Sequence, residues 1–134
     1  MPYFYPQFLG DKHPSVDYLV SVLDGKHISA YCFAQIKTTK SGYVVRKNGK
    51  KYLNVTAKKE DLDALSVFPG PTYLFGIDEQ TERVYFIAIT GSQPGFSAMP
   101  TDNELTCASL HELWDEIRQY WVSHSVTFTS RFQL

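Results

Sequence analysis

Asp17, Gln35 and Lys37 are the residues whose types and spacing could do chemistry. Asp17 opens the apolar run Asp17–Leu23. Gln35 and Lys37 close a longer run, Ile28–Thr38, rich in β-branched and aromatic residues, which reads as a strand. Residues two apart on a strand project from one face, so Gln35 and Lys37 stand together, and a preceding strand opened by Asp17 can bring a carboxylate beside them. Such a set suits metal-assisted phosphodiester hydrolysis. Asp17 would offer a hard carboxylate oxygen to Mg²⁺ or Mn²⁺, the Gln35 amide a weaker oxygen, and the Ile36 backbone carbonyl a third. Lys37 would orient or help deprotonate the attacking water, or neutralise charge at the phosphate. The plainer reading of the same residues is an aspartate capping the start of a strand and a Gln–Lys pair on an exposed sheet end.

The choice turns on register. A two-residue turn at Asp24–Gly25 would pair Leu23 with Lys26 and place Asp17 opposite Cys32. A looser loop spanning about Asp24 to Ile28 instead places Asp17 opposite Gln35, with Lys37 one step further along.

The net charge of -1 conceals an asymmetry. Lys37, Lys40, Arg46, Lys47, Lys50, Lys51, Lys58 and Lys59 fall in one segment without a single acid. A basic block inside an otherwise acidic chain is an oriented field that can receive a polyanion; a solvated lysine-rich hairpin is the alternative. Lys40, Arg46, Lys47, Lys50 and Lys51 are the candidate nucleic-acid contacts, and Tyr43 and Tyr52 flank them. No apolar run approaches the roughly 18 residues of a membrane span. Met1–Pro6 lacks the early positive charge of a signal peptide. Cys32 and Cys107 have no metal-type spacing and read as reduced, buried thiols, so a cytoplasmic location is expected. His13, His27, His111 and His124 show no ligand spacing either.

The 134 residues suit one domain with one core. Prolines 2, 6 and 14 make residues 1–15 an irregular arm, followed by a core over 16–122 and a tail over 123–134. Asn48–Gly49 marks a hairpin between Tyr43 and Val55. Thr56 is positioned to cap a helix through about Ser66 with Leu62 and Leu65 buried, and Pro69–Gly70–Pro71 stops it. Thr72–Ile77 reads as an interior strand, with Arg83–Ile89 as its hairpin partner. Gly91–Asn103 reads as a loop. Ser109 with Glu112 forms a capping box for a helix with Leu113, Trp114, Ile117 and Trp121 on its apolar stripe. The order β-β-hairpin-α-β-β-α predicts an α/β or α+β fold around one mixed sheet.

Val16–Asp17 followed by Phe33–Ala34–Gln35–Ile36–Lys37–Thr38–Thr39–Lys40 resembles the PD-(D/E)xK nuclease superfamily, in particular its Mrr-like branch and the domain-of-unknown-function 4365 type, in which the motif often reads Asp…Gln-x-Lys. The resemblance covers roughly residues 15 to 122. It implies a restriction-endonuclease-like mixed sheet flanked by helices, a divalent metal, and action on nucleic acid, chiefly DNA, in prokaryotic defence. Asp17, Gln35 and Lys37 are the matching positions. The chain departs from the family in lacking the N-terminal helix that often carries a metal-site Glu; Asp11 is the acidic residue available before Asp17. Either the chain is truncated, a partner subunit or second copy supplies the element, or the domain is a degenerate module that binds nucleic acid or protein without cleaving.

Overall fold

The computed structural model describes residues 4–10, 16–125 and 127–132. Three antiparallel strands open the chain: β1 (Phe4–Phe8), β2 (Tyr18–Asp24) and β3 (His27–Thr39). The basic hairpin follows as β4 (Tyr43–Val45) and β5 (Lys51–Leu53), then α1 (Lys59–Ser66). β6 (Thr72–Asp78) returns parallel to β3 and pairs antiparallel with β7 (Arg83–Ala88). β8 (Met99–Pro100) joins β5, and α2 (Cys107–Ser123) is the last element. The result is a mixed α+β fold with two sheets rather than the single one expected. One is a five-stranded mixed sheet of order β1-β2-β3-β6-β7, the other a three-stranded sheet of order β4-β5-β8. No helix among the described residues is long and apolar enough to cross a membrane.

Several local expectations are corrected. Residues 4–8 of the supposed irregular arm form an edge strand, a position that tolerates Pro6 because an edge need not donate every ladder bond. Thr56 does not cap α1. Ala57 is held extended by reciprocal backbone bonds with Phe96, of 2.9 and 2.8 Å, so the helix starts only at Lys59 and the Thr56 hydroxyl bonds Ser97 O instead. The α2 capping box lies one turn earlier than expected, with Thr106 as N-cap and Ser109 as its N3 partner. That start leaves Cys107 exposed; Cys32 alone is the buried thiol, pushed up to about 12 by burial. The candidate loop Gly91–Asn103 contains β8.

The five-stranded sheet is covered on both faces, as its doubly apolar strands require. On one face α2 packs Leu113 and Ile117 against Val22, Ala30, Cys32 and Tyr73. Its indoles anchor to strand carbonyls, Trp114 Nε1 to Leu23 O and Trp121 Nε1 to Tyr31 O, each at 2.7 Å. On the other face α1 buries Leu62 and Leu65 against Val16 and Leu74, while the small sheet lays Leu53 and Met99 over Gly76. Each fully buried leucine contributes roughly 2 kcal/mol.

Gly76 is where the two sheets meet. A Cβ there would lie 2.6 Å from Met99 Sδ and 2.8 Å from Leu53 Cδ2. Gly76→Val is therefore expected to destabilise the fold by about 1–3 kcal/mol through overpacking. Urea denaturation with an unchanged midpoint would contradict this packing.

Candidate functional site

Asp17, Gln35 and Lys37 meet where β2 begins and β3 nears its end. β2 and β3 turn through Gly25–Lys26, with Asp24 opposite His27, and an irregularity between Val22 and Leu23 leaves Ser29 unpaired. The ladder then runs to Tyr18 opposite Ala34, so the next step sets Asp17 beside Gln35. Of the two registers the sequence allows, the one with Asp17 beside Gln35 is found, but it arises from a shifted two-residue turn and a bulge instead of a longer loop. Asp17 brackets Gln35. Its backbone N–H donates to Ala34 O at 3.0 Å, and its carboxylate Oδ2 accepts from Ile36 N at 2.7 Å. In a strand, the N–H and C=O of one residue face the same neighbour. The Ile36 carbonyl therefore faces the side on which Asp17 stands.

Gln35 Oε1 is buried without a hydrogen-bond partner among the described residues. A buried amide oxygen left unpaired costs about 1–3 kcal/mol, and such an oxygen beside a carboxylate is a donor set suited to a hard cation. With one Asp17 oxygen committed to Ile36, the set consists of the other Asp17 oxygen, Gln35 Oε1 and the Ile36 carbonyl. Among the described residues no three His, Cys, Asp or Glu side chains converge on a metal-sized point. Asp11 and His13 lie outside the described residues. His124 stacks on Tyr120 with ring centroids 4.1 Å apart. Lys37 is half-buried and pairs in register with Gly76, one row beyond Gln35 and Leu74.

The basic residues spread over the hairpin and are not all equally available. Lys40 and Lys47 are exposed. Arg46 Nη2 donates to Ser97 Oγ at 3.0 Å, and its guanidinium lies 5.2 Å from the Tyr52 ring centroid. Lys50 lies 3.7 Å from Asp102 in an exposed pair worth little, and Lys51 sits over the Tyr43 ring. Tyr43 is turned inward, its hydroxyl 2.8 Å from that of Tyr85, so it is a packing residue.

Sequence reading missed what orients this hairpin. Asp78, at the end of β6, is buried, with Oδ2 accepting from the Thr81 hydroxyl at 2.6 Å and Oδ1 from Gln80 N at 3.1 Å. The turn it organises grips the exit of β3, through Glu79 N to Thr39 O (3.0 Å) and Gln80 Nε2 to Lys40 O (2.9 Å). Burial and the Tyr85 hydroxyl push the Tyr43 phenol upward, keeping it neutral above this cluster. An aspartate followed three residues later by threonine at a strand end was the available signal. Comparison of the chain with protein-family models, with curated proteins and with solved structures finds no match.

The Thr81 hydroxyl, the Gln80 N–H and Tyr43 hold the Asp78 carboxyl below its ordinary range, and burial only partly offsets them. A carboxyl whose folded pKa is depressed stabilises the fold above its unfolded pKa, near 4, and loses that contribution as pH falls through the folded value. Wild type should therefore lose stability below about pH 4 more steeply than Asp78→Asn. Parallel thermal-melt pH profiles for the two proteins would exclude this role.

Proposed function

We propose that the chain is a metal-dependent phosphodiesterase of PD-(D/E)xK type, with a restriction-endonuclease-like core, that acts on nucleic acid and chiefly on DNA. The observation that carries the reading is the unpartnered, buried Gln35 Oε1 next to an Asp17 carboxylate clamped at the Ile36 N–H. Mg²⁺ or Mn²⁺, when bound by Asp17, Gln35 and the Ile36 carbonyl, would supply Lewis acidity at a phosphoryl oxygen. The chain's own contribution is positioning. Ile36 N–H fixes one carboxylate oxygen, and the other has no hydrogen bond among the described residues. Lys37, one row on from Gln35, holds a cationic donor for the scissile phosphate or the attacking water. The hairpin residues Lys40, Arg46, Lys47, Lys50 and Lys51 attract the phosphate backbone, a salt-dependent and sequence-independent contribution.

A second reading is a nuclease-like module that binds nucleic acid without cutting. It is favoured by the lack, among the described residues, of any group of three His, Cys, Asp or Glu side chains able to hold a metal. Isothermal titration with Mg²⁺ and Mn²⁺, paired with cleavage assays on DNA, separates the two. Asp17→Asn keeps an oxygen for Ile36 N–H while removing the charge, and is expected to lose metal binding with little change in stability. Lys37→Ala is expected to lower cleavage by roughly 10²- to 10⁴-fold. Cleavage by Lys37→Ala at the wild-type rate removes the assigned site. Salt-sensitive DNA binding without metal-dependent cleavage in the wild type establishes the second reading.

A further inference from the structure

A cavity of about 550 Å³ opens beside the basic hairpin, on the α1 side of the sheet. Its walls are the rings of Tyr52, Phe96 and Pro94 with the aliphatic Leu62 and Ile87, and Arg46 is its one charged lining residue. Arg46 is held in place by Ser97 Oγ and by the Tyr52 ring. The Gln93 amide, also in the lining, is already occupied at both ends: Nε2 donates to Ala88 O at 2.9 Å and Oε1 accepts from Thr90 N at 3.0 Å. What remains for a ligand is an apolar, partly aromatic interior with one fixed cation. That chemistry suits a planar heteroaromatic ring carrying a phosphate.

Sheet register relates this cavity to Asp17 and Lys37. Gln35, Leu74 and Ile87 are cross-strand neighbours in one row; Lys37, Gly76 and Tyr85 form the next. α1 packs on the first row and the small sheet on the second, so a seam runs between them. Gln35 and Lys37 stand at its β3 end. The cavity stands at its β7 end, where Ile87 and Phe96 pack against both clusters. Two strand spacings, about 10 Å, separate Gln35 from Ile87. The connection from β5 to α1 ends at the exposed Lys58, and Lys59, exposed at the start of α1, makes a surface ion pair with Asp63 at 3.0 Å that is worth little.

We propose that this cavity binds a nucleobase, extruded from a nucleic-acid strand whose backbone passes over Lys58 and Lys59 toward Lys37. The strand's path rests on the phosphodiesterase reading; the ligand class rests on the cavity alone. A single-stranded segment supplies such a base at the least unstacking cost.

The test is a ¹⁵N NMR titration in EDTA, with nucleoside monophosphates and with a short single-stranded oligonucleotide. Wild type is compared with Tyr52→Leu, which keeps an apolar wall but removes the ring, and with Ser97→Trp, which fills the cavity from an exposed position. Both ligands are expected to shift the amides of Tyr52, Phe96 and Ala98, and both variants to weaken binding by roughly 5- to 150-fold. Shifts with mononucleotides but not with the oligonucleotide support the base site and overturn the strand path. Equal shifts with ribose 5-phosphate, or unchanged affinity in a folded Ser97→Trp protein, overturn the proposal. EDTA makes the result independent of metal-dependent cleavage, so either idea can fail while the other stands.

Discussion

Between Val22 and Leu23 the β2–β3 ladder gains one residue on the β3 side: Ala30 opposes Val22, Ile28 opposes Leu23, and Ser29 is left between them with its hydroxyl donating to Val22 O at 3.3 Å. A one-residue slip in a sheet exchanges its two faces. Counted from the turn without that residue, Asp17 would stand opposite Ala34, whose side chain belongs to the α2 face. With it, Asp17 reaches Gln35 and its carboxylate can accept from Ile36 N. The bulge lies at the opposite end of the strand pair from the site, so a local irregularity at Ser29 is converted into placement at Gln35, further along β3.

Ile36 sits at the centre of that placement because its side chain and its backbone N–H both have work in it. Its side chain lines an apolar cavity of about 460 Å³ on the α2 side, while its backbone N–H holds Asp17 in the sheet plane. Moving this residue would change the packing behind the site and the carboxylate in front of it together. The neighbouring rows constrain it further. β6 pairs with β3 from Phe33 to Thr39, and Gly76 keeps the small sheet seated beside Lys37. Gln35, Ile36 and Lys37 thus belong to a strand paired on both sides, and Asp17 is tied to it by two hydrogen bonds, so little conformational freedom remains to be lost on binding.

Much of this was legible because it is local. Asn48–Gly49 marked the hairpin, with Gly49 at φ 81° closing its loop, and Leu62 and Leu65 identified the buried side of α1. The unbroken apolar run Thr72–Ile77 marked a central strand, and it lies between β3 and β7. What escaped depends on partners distant in sequence. β1 is a strand only because β2 offers an edge, and Pro6 argued against it. β8 is two residues long and exists because β5 needs a neighbour. Thr56 satisfied the local rule for a helix cap but lost to the Ala57–Phe96 bridge. Asp78 lies at the strand end beyond the Thr72–Ile77 run, and neither its burial nor its bonds to Thr81 and Gln80 follow from hydrophobic pattern. The Asp17–Gln35 register was reachable only as an alternative, since neither the shifted turn nor the Ser29 bulge has a signature stronger than Asp24–Gly25.

Electrostatics then bear on the order in which ligands would assemble at such a site. One carboxylate, one amide and one carbonyl make a weak set for a divalent cation, and Mg²⁺ in sites of this kind typically completes its coordination with water and substrate phosphate. The cationic segment from Lys37 to Lys59 opposes a lone cation nearby and favours a polyanion. Binding of a phosphate backbone would neutralise that field and add anionic oxygens beside Asp17, so in the phosphodiesterase reading nucleic acid and metal bind with positive coupling. By linkage the coupling is reciprocal: the metal would strengthen nucleic-acid binding by the same factor by which nucleic acid strengthens metal binding. In that reading, weak metal affinity in the free protein would follow from the charge layout. The orientation of the hairpin, on which that charge layout depends, is secured by the Tyr43–Tyr85 contact, the Asp78 turn and its grip on Thr39 and Lys40.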